Sequence, residues 1–367
     1  MPVASRYAQL SWSEVVGFAF SWLKLPLVLT TTLITSPFHK YNKHKPWRRV
    51  LSDCTFRWVA SLTMPQFQTF LGTTEGTYCK AVQQAKLQPV TENLDDDGVS
   101  QLLWIGPKGT DNVLLYLHGG GFIGGVNEAS IRFWRYVQQK LKSGPSGIDL
   151  HIVILKYSLI PEGRFPTPLR QSVLAIEHLL ASGVSPSKLH LAGDSAGGNL
   201  IMQVLLHTQH PVDGVPPLDL PAPIGGALLL SPWASLTANT ASRTENDKVD
   251  ICTARACREF GDQVLYGVPE QLWPYLDPVN APESWFTGME RAVQRVLITA
   301  GSAECLRDEI VMLGEIMKKH HSGAEVVVQH RGVHVDPMVD FLAYLPEKQL
   351  GSVTPMIIQW FVEGYRA

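Results

Sequence analysis

Short, almost uninterrupted apolar runs recur through the second two thirds of the chain, each followed by a stretch with helical spacing. "NVLLYLHGG" (112–120), "HIVILKY" (151–157), "KLHLAG" (188–193), "GALLLSPW" (226–233), "RVLITAG" (295–301) and "AEVVVQH" (324–330) have the length and the Val, Ile and Leu content of buried strands. Between and after them, helical periods fall near 128–142, 167–182, 197–209, 305–321 and 352–365. Strands that are apolar on both faces, alternating with helices, predict an α/β fold whose parallel sheet is covered on both sides. Residues 1–88 follow another pattern, rich in Trp, Phe, Leu and Thr, with helices expected near 13–35, 47–62 and 75–87. The polar stretch "TENLDDDGVS" (91–100) marks a turn and the first boundary. Residues 234–285 break the strand–helix rhythm and read as an insertion over the strand ends. The expected organisation is an N-terminal apolar, helical cap region (1–95), the first part of an α/β core (96–233), a cap insertion (234–285) and the second part of the core (286–367).

Composition narrows the classes of function. The 367 residues are 45% hydrophobic and 17% charged, with a formal net charge of −2, so no global charge points to nucleic acid. The cysteines at 54, 79, 252, 257 and 305 form no C-x-x-C pair and no metal-ligand spacing with histidine. Free thiols are expected, with no metal and no cofactor. The run that starts at Val15 and closes at Ile34, "VVGFAFSWLKLPLVLTTTLI", is long enough for a bilayer span of about 20 residues, but it holds Lys24 and Pro26 near its middle. It fits a removable signal peptide poorly. It reads either as two apolar helices broken at Pro26 that fold over a pocket, or as a membrane anchor whose basic sequel, "HKYNKHKPWRRV", keeps the remainder on the cytoplasmic side. An intracellular protein is expected, cytoplasmic or associated with the endoplasmic reticulum membrane; oligomeric state is left open.

Chemistry gathers at the strand ends, where open α/β sheets bind ligands. Gly193-Asp194-Ser195-Ala196-Gly197 follows one strand and opens an apolar helix, the setting of a nucleophile elbow, in which small flanking residues permit a sharp turn. His118-Gly119-Gly120-Gly121-Phe122 ends an earlier strand, and its glycines are suited to turn amides toward a developing oxyanion. Gly119, Gly120 and Ala196 are the expected donors, and Phe122, Asp194 and Trp233 the expected substrate contacts. A serine nucleophile needs a base, and the base needs a carboxylate. Past the strand 324–330, His334 in "RGVHVDP" stands in a loop, with His330 as the alternative; His320 and His321 read as solvated. At the end of the strand 295–301, Glu304 is the first carboxylate, with Asp308 as the alternative. The order Ser195, Glu304, His334 is that of α/β-hydrolases.

Together "LHGGGF", "YSLIPEGRFPTPL", "GDSAGGNL", "LLLSPW", "LRDE" and "VHVDP" resemble the hormone-sensitive-lipase-like branch of the α/β-hydrolase family over about residues 113–340. The resemblance implies an eight-stranded, mostly parallel sheet with helices on both faces and a helical cap. Glu304, where the family usually carries aspartate, is similar to fungal steryl-acetyl-hydrolase-like members. Val335, where many members have glycine, reads as neutral. The implied activity is a serine carboxylester hydrolase with a Ser-His-Glu triad. Its substrate would be an apolar ester, such as an acetylated sterol, terpenoid or polyketide, or a short-chain lipid ester. The alternative is a hydrolase-fold enzyme of condensation, cyclisation or lactone formation in secondary metabolism. A non-catalytic small-molecule receptor would need a damaged triad, and every triad position here holds a competent residue.

Overall fold

The computed structural model describes residues 7–95 and 98–366. In chain order its strands are β1 (Val90–Asn93), β2 (Gln101–Ile105), β3 (Val113–Leu117), β4 (His151–Lys156), β5 (Leu189–Asp194), β6 (Gly226–Leu230), β7 (Val296–Gly301) and β8 (Ala324–Gln329). Among the described residues these eight form one sheet in the order β1-β2-β4-β3-β5-β6-β7-β8. β2 runs antiparallel to both of its neighbours, and every other pairing is parallel. All six apolar runs form strands. β1 and β2 had no such signature: β1 reads "VTEN", an edge strand with alternate residues exposed. The polar stretch 91–100 therefore begins inside the sheet and continues as the β1–β2 hairpin, with Asp96 and Asp97 outside the described residues.

Before the sheet come α1 (Trp12–Thr35), α2 (Trp47–Val59), α3 (Met64–Leu71) and α4 (Thr74–Gln84); within it α5 (Glu128–Ser143), α6 (Thr167–Ala181) and α7 (Ala196–Gln209). The segment between β6 and β7 holds α8 (Ala241–Glu245), α9 (Ala254–Leu265) and α10 (Trp273–Leu276); α11 (Arg307–His320), α12 (Asp336–Leu342) and α13 (Val353–Arg366) complete the chain. Alternate strand residues feed two cores. Leu115, Leu117, Leu191, Leu229 and Ile298 face α6, α7 and α11, whereas Leu114, Tyr116, Ala192, Leu228 and Leu230 face α5 and α13. The period of two along each strand explains why both faces had to be apolar.

The N-terminal region differs from expectation in two respects: α3 had no counterpart in the sequence pattern, and the first helix is not broken. α1 runs unbroken through Pro26. The proline removes one helical hydrogen bond. A capping box of Ser11 with Glu14, and the packing of Trp22 on Trp58 and Phe70, carry the helix past it. α2 in turn enters the core through Arg49, whose buried guanidinium pairs with Asp53 (2.6 Å) on its own helix and with Asp336 and Asp340 on α12. The three carboxylates outweigh burial and keep it charged.

His190 on β5 is enclosed by Trp360, Phe361 and Tyr365 of α13. Neither ring nitrogen has a protein partner among the described residues, and burial, with Arg295 and Lys188 nearby, lowers its pKa to about 3. Because the folded pKa lies below the unfolded value of 6.5, the folded state resists the proton that the unfolded chain accepts. Stability is full above pH 6.5 and falls as the pH drops toward 3. We expect His190 to account for a loss of about 2 kcal/mol between pH 7 and pH 5 in urea unfolding, and His190→Gln to flatten that part of the profile.

Candidate active site

Ser195 occupies the turn from β5 to α7 with φ 51°, a conformation rare for a side-chain-bearing residue. The turn is fixed from both sides. Its amide donates to the Leu230 carbonyl at 3.0 Å, and its carbonyl accepts the Trp233 amide at 2.8 Å. Close approach explains the glycines: a β-carbon on Gly193 would stand 2.4 Å from the Gly197 carbonyl carbon, and one on Gly197 only 1.8 Å from the Leu117 oxygen. The hydroxyl is thereby presented at the N-terminus of α7, whose dipole favours negative charge.

His334, between β8 and α12, places Nε2 2.9 Å from Ser195 Oγ and Nδ1 2.7 Å from Glu304 Oε1. Glu304 is fully buried, and its other oxygen accepts the Ser231 hydroxyl (2.9 Å) and the Gly301 amide (2.7 Å). The alternatives lie elsewhere. His330 is exposed, and the Asp308 carboxylate is taken up by Arg307 and the Ser242 amide. His321 is not solvated as expected but buried, with Nε2 against the Val293 carbonyl at 2.8 Å.

Two expected contacts need correction. The Gly119 amide is not free for an oxyanion: it donates to Asp194 Oδ1 at 2.9 Å. Among the described residues the amides of Gly120, Gly121 and Ala196 donate to no protein acceptor, and the left-handed φ of Gly120 (111°) and Gly121 (66°) turns the loop at this point. Asp194 lines the pocket at Ser195 as expected, while its carboxylate, which also takes the Tyr116 hydroxyl, acts as a bracket. Phe122 faces a separate, small cleft with Ile160 and Phe165. Trp233 does line the pocket at Ser195, an apolar space walled by Phe56 of α2 and Ala60 just after it, Phe67 and Leu71 of α3, and Cys257 and Phe260 of α9. The five cysteines are unpaired, with the Cys252 and Cys257 sulfurs 3.2 Å apart in this wall.

Two positions escaped the sequence reading. Asp250, from the 234–285 segment, accepts the His334 amide (2.8 Å) on one oxygen and the Cys305 amide (2.7 Å) on the other, joining the loops that carry base and acid. Nothing in "DKVDIC" distinguishes it from the other acidic residues of that segment. Ser231 links the same loops by donating to Glu304 and accepting the Val335 amide at 3.1 Å; its position at a strand end before proline was the available clue. Val335 is also not neutral. Its φ of 47° lies where a β-branched residue is strained, which explains why glycine suits this position.

Burial alone lowers the His334 pKa, but the Glu304 hydrogen bond and charge, with the Asp250 charge, lift it to about 9. Burial raises that of Asp250 to about 6, against the pull of His334. His118, stacked on Tyr157 and bonded to Thr74, is driven by burial to about 4 and is neutral. The arrangement is a hydroxyl, an imidazole and a carboxylate in line, with unoccupied amides beside the hydroxyl.

The family model described as alpha/beta hydrolase fold matches residues 114–337. The chain belongs to this family. An acetyl-hydrolase of Streptomyces hygroscopicus is 31% identical over 208 residues, 56% of this chain and 62% of that protein. Steryl acetyl hydrolase 1 of Saccharomyces cerevisiae is 22% identical over 249 residues, 63% of this chain and 55% of that protein. The chain thus spans less than two thirds of the length of these curated relatives. A solved esterase of the bacterial hormone-sensitive lipase family superposes with a TM-score of 0.66 at 25% identity, covering 88% of this chain and 99% of its own. In an alpha/beta hydrolase the β5–α7 turn is held by packing, so Gly197→Ala should lower stability by about 2–3 kcal/mol. An unchanged urea midpoint would contradict the close approach to Leu117.

Proposed function

We propose that this alpha/beta hydrolase is a serine carboxylester hydrolase acting on an apolar ester through an acyl-enzyme. The observation that carries the reading is the line from Ser195 Oγ through both nitrogens of His334 to Glu304, at 2.9 and 2.7 Å. Ser195 attacks the ester carbonyl as its proton passes to His334 Nε2. Glu304 holds the imidazolium in place. The oxyanion of the tetrahedral intermediate is met by the amides of Gly120, Gly121 and Ala196, where charge develops and water is excluded. His334 then returns the proton to the departing alcohol, and water repeats the sequence on the acyl-enzyme. The apolar pocket wall supports an apolar substrate, and the likeness to an acetyl-hydrolase and a steryl acetyl hydrolase supports an acetylated, sterol- or terpenoid-like alcohol.

A fluorophosphonate probe should label the wild type and leave Ser195→Ala unlabelled, and Ser195→Ala should lose about 10⁴-fold or more in kcat on short p-nitrophenyl esters. Turnover that falls steeply with acyl length supports an acetyl ester; a folded wild-type protein that takes no label would refute the mechanism.

The raised His334 pKa sets a pH dependence. The base works only when neutral, so kcat/KM should rise with pH along a limb centred near 9. Asp250→Asn removes a negative charge that favours the imidazolium and should move this limb to lower pH. A limb that stays in place in this variant would show that Asp250 does not act on His334.

A further inference from the structure

Helix α1 presents a surface that no other described part of the chain covers. Trp12, Val16, Phe20, Leu23, Leu27 and Ile34 recur at intervals of three, four and seven, so at 100° per residue they share one stripe of the helix. All six are exposed, Trp12 by 87% and Leu23 by 75%. The helical stretch Trp12–Phe38 is long and apolar enough to cross a membrane, with 6% of its most apolar window buried. A contiguous apolar stripe of this length marks an interaction surface.

Charge says what covers it. From residue 15 to residue 52 the chain has no acidic side chain, while Lys24, Lys40, Lys43 and Arg48 are basic; Lys45 and Arg49 are engaged by Asp53. Just beyond the stripe, the exposed rings of Phe38 and Trp47 stand among Lys40, Lys43 and Arg48, and the Arg48 guanidinium lies over Trp47. Aromatic and basic residues beside an apolar face suit the interface of an anionic bilayer. A second copy of the chain would bring no anion from this face.

Geometry says how the helix meets it. The Tyr7 hydroxyl donates to the Gly72 carbonyl at 2.7 Å, Gln66 Nε2 to the Glu14 carbonyl at 2.9 Å, and Trp58 Nε1 to Ser21 Oγ at 2.7 Å. Toward the other end, Thr32 Oγ1 meets Cys54 Sγ at 3.4 Å. A spanning helix leaves its domain over a hydrocarbon core of about 30 Å, whereas α1 is held against α2 and α3 along its length. We propose that α1 docks in the plane of an anionic membrane, its Trp12-to-Ile34 stripe entering the headgroup–acyl boundary while Lys40, Lys43 and Arg48 meet lipid phosphates. α2 and α3 also wall the pocket at Ser195, so docking sets that wall beside the bilayer. The docking is independent of the chemistry at Ser195; only delivery of a lipid-dissolved ester rests on the esterase reading.

Flotation of the full chain with vesicles of phosphatidylcholine, alone or with about 30 mol% phosphatidylserine, reads binding without reference to catalysis. Wild type should float with the anionic vesicles, more weakly at high salt, and be released by sodium carbonate. Phe20→Glu/Leu23→Glu/Leu27→Glu should stay unbound, with an unchanged circular dichroism melt and unchanged turnover of a water-soluble ester. Lys40→Glu/Lys43→Glu/Arg48→Glu should weaken partition onto anionic vesicles by on the order of a hundredfold. Wild type that binds neither vesicle overturns the proposal. So does an oligomer that masks the stripe and is lost in the Phe20/Leu23/Leu27 variant, which would make the face a contact between copies. Resistance to carbonate would overturn the in-plane geometry in favour of a span. Loss of ester turnover in every protein, with flotation as expected, would refute the esterase reading and leave the docking intact.

Discussion

The geometry of the site depends on one close approach, the backbone of α7 against the end of β3. The Gly197 α-carbon lies so near the Leu117 carbonyl that a single methyl group has no room, and a buried carboxylate fastens the same junction. Asp194, one residue before the serine, takes the Gly119 amide and the Tyr116 hydroxyl, both from the neighbouring strand and its loop. The serine turn and the glycine loop are therefore one unit, and the amides of Gly120 and Gly121 stand beside Ser195 because the amide before them is already engaged. A buried carboxylate without its donors would be costly, so this bond specifies the loop register rather than merely adding to stability.

The base is positioned by a second unit built from different parts of the chain. Glu304 and Asp250 approach His334 from opposite sides of its residue, one at the ring and one at the backbone amide. Ser231 bridges Glu304 to Val335, and Arg49 draws Asp336 and Asp340 toward α2. The strained Val335 is thus held from both sides. Strain of this kind persists only where the surroundings over-determine it. Here they do so with groups from the N-terminal region, the 234–285 segment and the strand ends.

This division explains what the sequence made legible. Ser195, Glu304 and His334 stand where the alternation of apolar runs and helical periods places the strand ends, so counting strands was enough to nominate them. β3 to β7 were visible because burial on both faces leaves an uninterrupted apolar run, and β8, although an edge strand with Val328 exposed, carries three consecutive valines. β1 was not, because an edge strand needs no such run, and α3 and α12 were too short to show a period. The off-by-one error at Gly119 has a similar origin. Glycines in a row are equivalent in sequence, and only the Asp194 carboxylate distinguishes the one that binds the scaffold from those left free. Asp250 and Arg49 act across separations of 84 and 287 residues, and local pattern carries no trace of such pairings.

The N-terminal region then has two faces with opposite demands. Toward the core, α2 buries a guanidinium among three carboxylates and α3 sends Gln68 to the carbonyls of Ile123 and Ile160, at 3.1 and 2.6 Å, fixing the end of the glycine loop. These contacts are polar, directional and internally satisfied, which is what a wall beside a reacting centre requires. Toward the outside, α1 carries apolar residues that no other described part of the chain covers. Had α1 served only to cover the pocket, its apolar stripe would face inward and Leu25 would not be its single buried residue. The helix instead turns its smaller contact, through Trp22 and Ser21, to the domain and its larger one away. The same region that braces the loops around Ser195 therefore holds an apolar surface in a fixed orientation to the pocket.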